Sequence, residues 1–126
     1  MSERENEIKA NLERSKNALD AAMDLFEDEY FDFAVSRAYY AAFYAASALL
    51  LNEGWETKKH SGVIALFHQH FVKTKKLPVE QGKNLNWLFE LRGIGDYGGV
   101  IRLSFEEAQR ALKIATSFLD AVDDIL

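Results

Sequence analysis

A basic segment is the most distinctive chemical feature of an otherwise acidic sequence. The 126 residues carry a formal net charge of −5, yet residues 58–92 hold seven lysines and arginines against two glutamates, a net charge of +5. Lys58 and Lys59 precede His60 at the predicted start of a helix. Because free backbone N–H groups at a helix N-terminus attract anions, Lys58, Lys59 and His60 form a candidate phosphate site. The alternative is a helix capped by a hydroxyl side chain beside solvated lysines.

Arg37 is a second candidate, because it lies in a stretch rich in alanine and tyrosine. An unpaired guanidinium is costly to bury, so Arg37 needs a partner or a cavity. A carboxylate such as Asp96 would make it a structural clamp. A cavity would let its planar fork grip a ligand phosphate.

The segment 92–99 is the third candidate, since Arg92, Asp96 and Tyr97 lie within six residues among several glycines. Loops of this kind often carry function. The segment has neither the spacing of a Walker loop nor that of a dinucleotide fingerprint. It therefore indicates either a ligand-binding loop or a helix end with Tyr97 packed on the bundle.

Several classes of site and location are not expected. The sequence has no cysteine, which excludes thiol catalysis and cysteine-ligated metal centres. His68 and His70 are two residues apart on a predicted helix, so they cannot share one ion, and we predict no metal site and no cofactor. The charged N-terminus lacks the apolar core of a signal peptide, and the longest apolar run is too short to span a bilayer. We expect a cytoplasmic protein without membrane contact.

The apolar periodicity predicts the elements that position these residues. Spacings of three and four residues recur along the chain and no segment alternates like a strand, so we predict an all-α, mostly antiparallel bundle of about five helices in a single domain, residues 1–126. The predicted elements are helices over 3–27, from 32 or 33 to 52 and over 61–72, a fourth that begins at Pro78, a loop over 93–102, and a fifth helix capped by Ser104.

The order of these features resembles the HEPN family, small helical domains whose name refers to proposed nucleotide binding. The resemblance covers nearly the whole chain and rests most on AVSRAYYAAF (34–43), supported by KHSG (59–62), LR (91–92) and DYG (96–98). It is to the stand-alone HEPN proteins of archaea and bacteria. Many HEPN proteins resemble toxins or antitoxins encoded beside a minimal nucleotidyltransferase, and several branches are metal-independent ribonucleases that dimerise.

The ribonuclease motif of that family is an arginine followed, after four to six residues, by a histidine. Counting from Arg92, the permitted positions are Tyr97, Gly98 and Gly99. A phenol has an ordinary pKa near 10 and is a poor general acid or base at neutral pH. The arginine of the motif is therefore present and its histidine is absent.

The resemblance implies a homodimer that binds a nucleotide, RNA or a partner nucleotidyltransferase through one face. That face would carry Arg37, His60, Arg92, Asp96 and Tyr97, and we expect it not to be catalytic. A rival hypothesis is a metal-independent ribonuclease in which His60 replaces the missing histidine, with Arg92 and Tyr97 as the other catalytic candidates. This rival requires His60 to lie near Arg92. A third possibility is a purely structural interaction module.

Overall fold

Over the residues that the structure describes, the chain folds into five α-helices that pack as a bundle. The computed structural model describes residues 2–97 and 99–126, and of Tyr97 only the backbone. A π-helical turn, His68–Val72, extends the third helix. The helices are α1 (Glu3–Glu27), α2 (Phe31–Asn52), α3 (His60–Phe67), α4 (Val79–Tyr97) and α5 (Phe105–Ile125). These described ranges contain no strand, so the predicted all-α bundle is confirmed.

The central helix is α2, as its alanine-rich sequence predicts. Its small side chains are buried along most of its length, which lets α1, α4 and α5 approach closely. The Ser15 hydroxyl donates to the backbone oxygen of Ala41 over 2.7 Å, and the ring centroids of Phe26 and Phe31 lie 5.7 Å apart. Because later residues of α1 pair with earlier residues of α2, these two helices run antiparallel.

Helix ends follow the local chemistry of the sequence. Ser104 Oγ accepts from the backbone N–H of Glu107, and the Glu107 carboxylate accepts from the backbone N–H of Ser104. This capping box fixes the start of α5. Gly54 follows α2 with a φ of 87°, the left-handed conformation in which glycine is favoured. The predicted helix over 61–72 begins one residue earlier and continues as the π-helical turn.

The predicted loop over 93–102 is wrong at its start, because α4 continues to Tyr97. A Cβ atom on Gly95 would lie 2.9 Å from Leu103 Cδ1 and 3.7 Å from Asp32 Cα. This glycine therefore makes room for the Leu103 side chain against α4, whereas the prediction treated it as a helix breaker. Gly98 lies outside the described residues.

No helix among the described residues is both long enough and apolar enough to cross a membrane.

Candidate functional site

The candidate site lies where the middle of α2 meets the first residue of α3 and the C-terminal half of α4. Tyr39 and Tyr40 come from α2, His60 begins α3, and Arg92 comes from α4. Tyr39 is fully buried, and the other three residues are half-buried. The site is therefore buried at Tyr39 and accessible to solvent at its edge.

An aromatic pocket holds His60. Its Nδ1 lies 2.6 Å from the hydroxyl oxygen of Tyr39, and its ring stacks on Phe43 with centroids 4.3 Å apart and planes inclined by 16°. Phe89 lies farther off, with centroids 6.4 Å apart. These contacts fix the orientation of the imidazole.

Burial determines the protonation of the Tyr39–His60 pair. Desolvation raises the pKa of Tyr39 well above its ordinary value, although Arg92 opposes the shift, so the phenol keeps its proton. The Tyr39 hydroxyl and His60 Nδ1 form a hydrogen bond whose direction depends on the imidazole tautomer. In the tautomer in which the phenol donates to Nδ1, the imidazole proton lies on Nε2. Burial and the charge of Arg92 lower the pKa of His60. A neutral imidazole with an Nε2–H group donates a hydrogen bond and does not accept a proton there.

Two guanidinium groups surround the ring of Tyr40. The Cζ atom of Arg37 lies 4.6 Å from the ring centroid and that of Arg92 lies 5.4 Å from it. The two Cζ atoms are therefore at most 10.0 Å apart. Arg92 also donates to the Tyr40 hydroxyl over 3.2 Å, and its Nε lies 3.0 Å from Asp96 Oδ2. The site therefore holds two cations and one paired carboxylate.

The predicted clamp between Arg37 and Asp96 is wrong, because Asp96 pairs with Arg92. In the part of the chain that the structure describes, no carboxylate oxygen lies within 4.0 Å of the Arg37 guanidinium. Contact with the Tyr40 ring holds this side chain, which leaves its N–H groups available for a ligand.

The structure brings some of the predicted site residues together. His60 and Arg92 both contact Tyr39, the imidazole centroid at 5.6 Å and the Arg92 Cζ at 5.5 Å from its ring centroid. The proximity that the ribonuclease hypothesis requires is therefore present within one protomer. Lys59 is the exposed N-cap of α3, whereas Lys58 lines a different groove. The Tyr97 side chain lies outside what the structure describes.

Comparison with known protein families matches residues 8–125 to the HEPN domain. The chain belongs to the HEPN family. Its relatives include a UPF0332 protein of Thermotoga maritima, which is 42% identical over 126 residues, 100% of this chain and 96% of the relative. Two proteins of Methanocaldococcus jannaschii carry the name "Putative toxin". One is 39% identical over 90% of this chain and 78% of its own length, and the other 37% identical over 95% and 89%.

The aromatic residues of the site in this HEPN protein were not predicted as site residues; they are Tyr39, Tyr40, Phe43 and Phe89. Arg37 and Tyr40 are three residues apart, a spacing that places them on one face of a helix. Tyr39 follows Arg37 by two residues and turns into the core instead. The spacing around Arg37 was the available signal, and it was hard to recognise because α2 is apolar on nearly all of its faces.

The depressed pKa of His60 predicts a pH-dependent stability. The unfolded chain binds a proton near its ordinary pKa of about 6.5, and the folded HEPN domain binds it only at lower pH. The contribution of His60 to the free energy of unfolding is therefore complete above about pH 6.5 and is lost as pH falls from there through the folded-state pKa. The loss is at most about 1.4 kcal/mol per pH unit. We expect the melting temperature, measured by circular dichroism, to fall between about pH 7.5 and 5.5, and His60→Gln to reduce the slope. A slope reduced equally by His68→Gln, outside the aromatic pocket, would contradict this.

Proposed function

We propose that this HEPN protein binds the phosphate groups of a nucleotide or RNA without cleaving the chain. The observation that carries the proposal is the pair of guanidinium groups that contact Tyr40, of which Arg92 pairs with the Asp96 carboxylate and Arg37 pairs with no carboxylate of the described residues. The two guanidinium groups carry the same charge and contact the same ring, so they repel each other. An anion bound between them reduces this repulsion. The planar fork of arginine matches a phosphate geometrically.

The Nε2–H of His60 is a further donor at this site. A neutral imidazole that donates to a phosphate oxygen adds to binding and offers no base to remove the proton of a ribose hydroxyl. The protonation of the Tyr39–His60 pair therefore favours a binding role. This agrees with the absence of histidine at positions 97–99.

A toxin–antitoxin pairing with a minimal nucleotidyltransferase is the biological setting that we propose. Its support is the name of the two relatives from Methanocaldococcus jannaschii. The pairing requires such a nucleotidyltransferase to be encoded next to this protein and to form a complex with it. A genomic neighbourhood without that gene would contradict the pairing.

A metal-independent ribonuclease is the second candidate function. The contact of both His60 and Arg92 with Tyr39 favours it, because a general acid–base and a cation that stabilises the transition state must reach the same phosphate. The two candidates differ in whether His60 can exchange a proton at neutral pH.

The binding proposal predicts a salt-sensitive interaction with single-stranded RNA. Neutralised phosphates release counterions, so log K should fall linearly with log salt. Replacing Lys58 and Lys59 together by alanine should lower the affinity about two- to fivefold and reduce the slope. Lys59 caps α3 directly before His60, and Lys58 precedes it in the chain, although the Lys58 side chain lines a different groove. The matched control replaces Lys9 and Lys16, exposed lysines of α1. Fluorescence anisotropy at several salt concentrations measures both, and equal effects of the two pairs would refute a localised site.

A two-fold homodimer is the assembly that we propose. Three apolar residues are exposed to solvent: Ile94 by 44%, Val100 by 94% and Ile101 by 56%. Contact with a partner copy would remove this apolar surface from water. They lie beside the Arg92–Asp96 pair, so a two-fold contact there would bring the two sites to a common groove. We expect light scattering at micromolar concentration to give the dimer mass, and Val100→Lys with Ile101→Lys to give the monomer mass. A monomer mass for the unmodified protein would contradict the proposal.

A further inference from the structure

A groove of about 780 Å³ lies between the start of α2 and the end of α4 and is lined by Asp96, the ion-pair partner of Arg92. It is bounded by one exposed aromatic ring, two carboxylates, one cation and two glycines. These lining residues are Asp32, Phe33, Gly95, Asp96, Gly99 and Arg102. The groove is continuous with the candidate site because Asp96 is the partner of Arg92.

Phe33 exposes 62% of its surface to solvent, which is unusual for a large apolar ring next to a charged site. It precedes Arg37 by one helical turn, about 6 Å along the axis, on the face that also carries Tyr40. An exposed aromatic ring at that distance from a guanidinium suits a nucleotide, whose base can stack while its phosphate binds the cation.

The groove offers mostly hydrogen-bond acceptors to the edge of such a base. Asp96 uses Oδ2 for Arg92, and its Oδ1 has no partner among the described residues. Asp32 accepts from the backbone N–H of Leu103 over 2.8 Å through Oδ1, and its Oδ2 lies 3.8 Å from Arg102 Nε. A base with adjacent N–H donors is therefore preferred over one that presents mostly carbonyl oxygens.

Guanine is the common RNA base that carries two adjacent N–H donor groups, N1–H and N2–H₂, and these suit a carboxylate. Its O6 and N7 acceptors suit Nη2 of Arg102, whose Nη1 donates to the backbone oxygens of Gly99 and Ile101. Uracil has a single N–H donor between two carbonyl groups, so two acidic side chains disfavour it.

We infer that the groove beside Phe33 is a base-binding subsite that prefers guanine, with the attached phosphate on Arg37 and Arg92. This inference rests on the proposed function, since the phosphate site supplies the other half of the nucleotide. The ligand class is a guanine nucleotide or a guanosine within single-stranded RNA.

Isothermal titration of the full chain with GMP, UMP and ribose 5-phosphate tests the inference, because ribose 5-phosphate carries the phosphate without a base. We expect GMP to bind about tenfold more tightly than either of the others. Phe33→Ala should bring the GMP affinity down to that of ribose 5-phosphate and leave the latter unchanged. The matched control is Trp55→Ala, which removes another exposed ring that lines a different groove.

Asp96→Asn is a second variant that tests the inference. The amide replaces one carboxylate oxygen, a hydrogen-bond acceptor, by an NH₂ group, which is a donor. It should reduce the ratio of GMP to UMP affinity. Equal binding of GMP and ribose 5-phosphate, or a GMP preference that survives Phe33→Ala, would overturn the subsite while leaving the phosphate site intact. No binding of any of the three ligands would overturn both.

Discussion

Arg37→Ala should lower the affinity for single-stranded RNA by about 10- to 100-fold, the effect of losing one charge-assisted, bidentate contact. Its guanidinium is half-buried and held by the ring of Tyr40, with no carboxylate of the described residues to neutralise it. The group is therefore positioned before a ligand arrives, and little ordering entropy opposes binding. Fluorescence anisotropy at about 0.1 M salt measures the loss, because exposed charges beyond the site are then screened.

The control for this substitution is Arg110→Ala. The Arg110 Cζ lies 4.4 Å from the ring centroid of Trp87, so its removal takes away the same charge and the same kind of ring contact at a different place. Both variants should lose only about 0.5–1 kcal/mol of stability. Arg37→Lys keeps the charge without the planar fork and should fall between the wild type and Arg37→Ala. If Arg110→Ala weakens RNA binding as much as Arg37→Ala, net charge explains the affinity, and the position of Arg37 beside Tyr40 does not.

The bound RNA should stay intact, with or without EDTA. The Tyr39 hydroxyl forms a hydrogen bond with Nδ1 of His60, and burial together with Arg92 lowers the pKa of this histidine, which favours the neutral imidazole. General acid–base catalysis and transition-state stabilisation each contribute about a hundredfold or more, and the binding proposal expects the first of these to be absent. Denaturing gels of end-labelled RNA after prolonged incubation measure the result.

Two variants, purified in the same way, separate this outcome from contaminating nucleases. If metal-independent cleavage occurs and both His60→Ala and Arg92→Ala abolish it with helix content unchanged, the protein is a ribonuclease and the catalytic role belongs to His60. Cleavage that persists in both variants comes from a contaminant. If the protein is a ribonuclease, Tyr39→Phe would test the role of the Tyr39–His60 hydrogen bond, because this substitution frees Nδ1 of His60.

The helical architecture could be predicted from the sequence because apolar spacing and capping residues are local signals. Ser104 with Glu107 fixed the start of α5, and the end of α1 was placed at its observed residue. Gly95 was misassigned because its role is to make room for Leu103, and a contact between residues that are distant in the chain leaves no local pattern. Glycine content alone cannot distinguish a broken helix from a closely packed one.

The candidate site was predicted in part. Arg37, His60 and Arg92 were identified from residue type, and the structure places all three around Tyr39 and Tyr40. The pairing of Asp96 with Arg92 in place of Arg37 follows from α4 continuing as a helix, which puts residues four apart on one face. Once the helix was predicted to end at residue 92, that pairing could not be foreseen.

The central claim is that a phosphate binds between the guanidinium groups of Arg37 and Arg92. Titration of arginine-labelled protein with ribose 5-phosphate, followed through the Nε–H resonances by NMR, tests it most directly. The structure predicts that the signals of Arg37 and Arg92 shift together with one saturation curve, while that of Arg110 stays in place. Saturable shifts confined to other arginines, or no shift at Arg37, would contradict the claim.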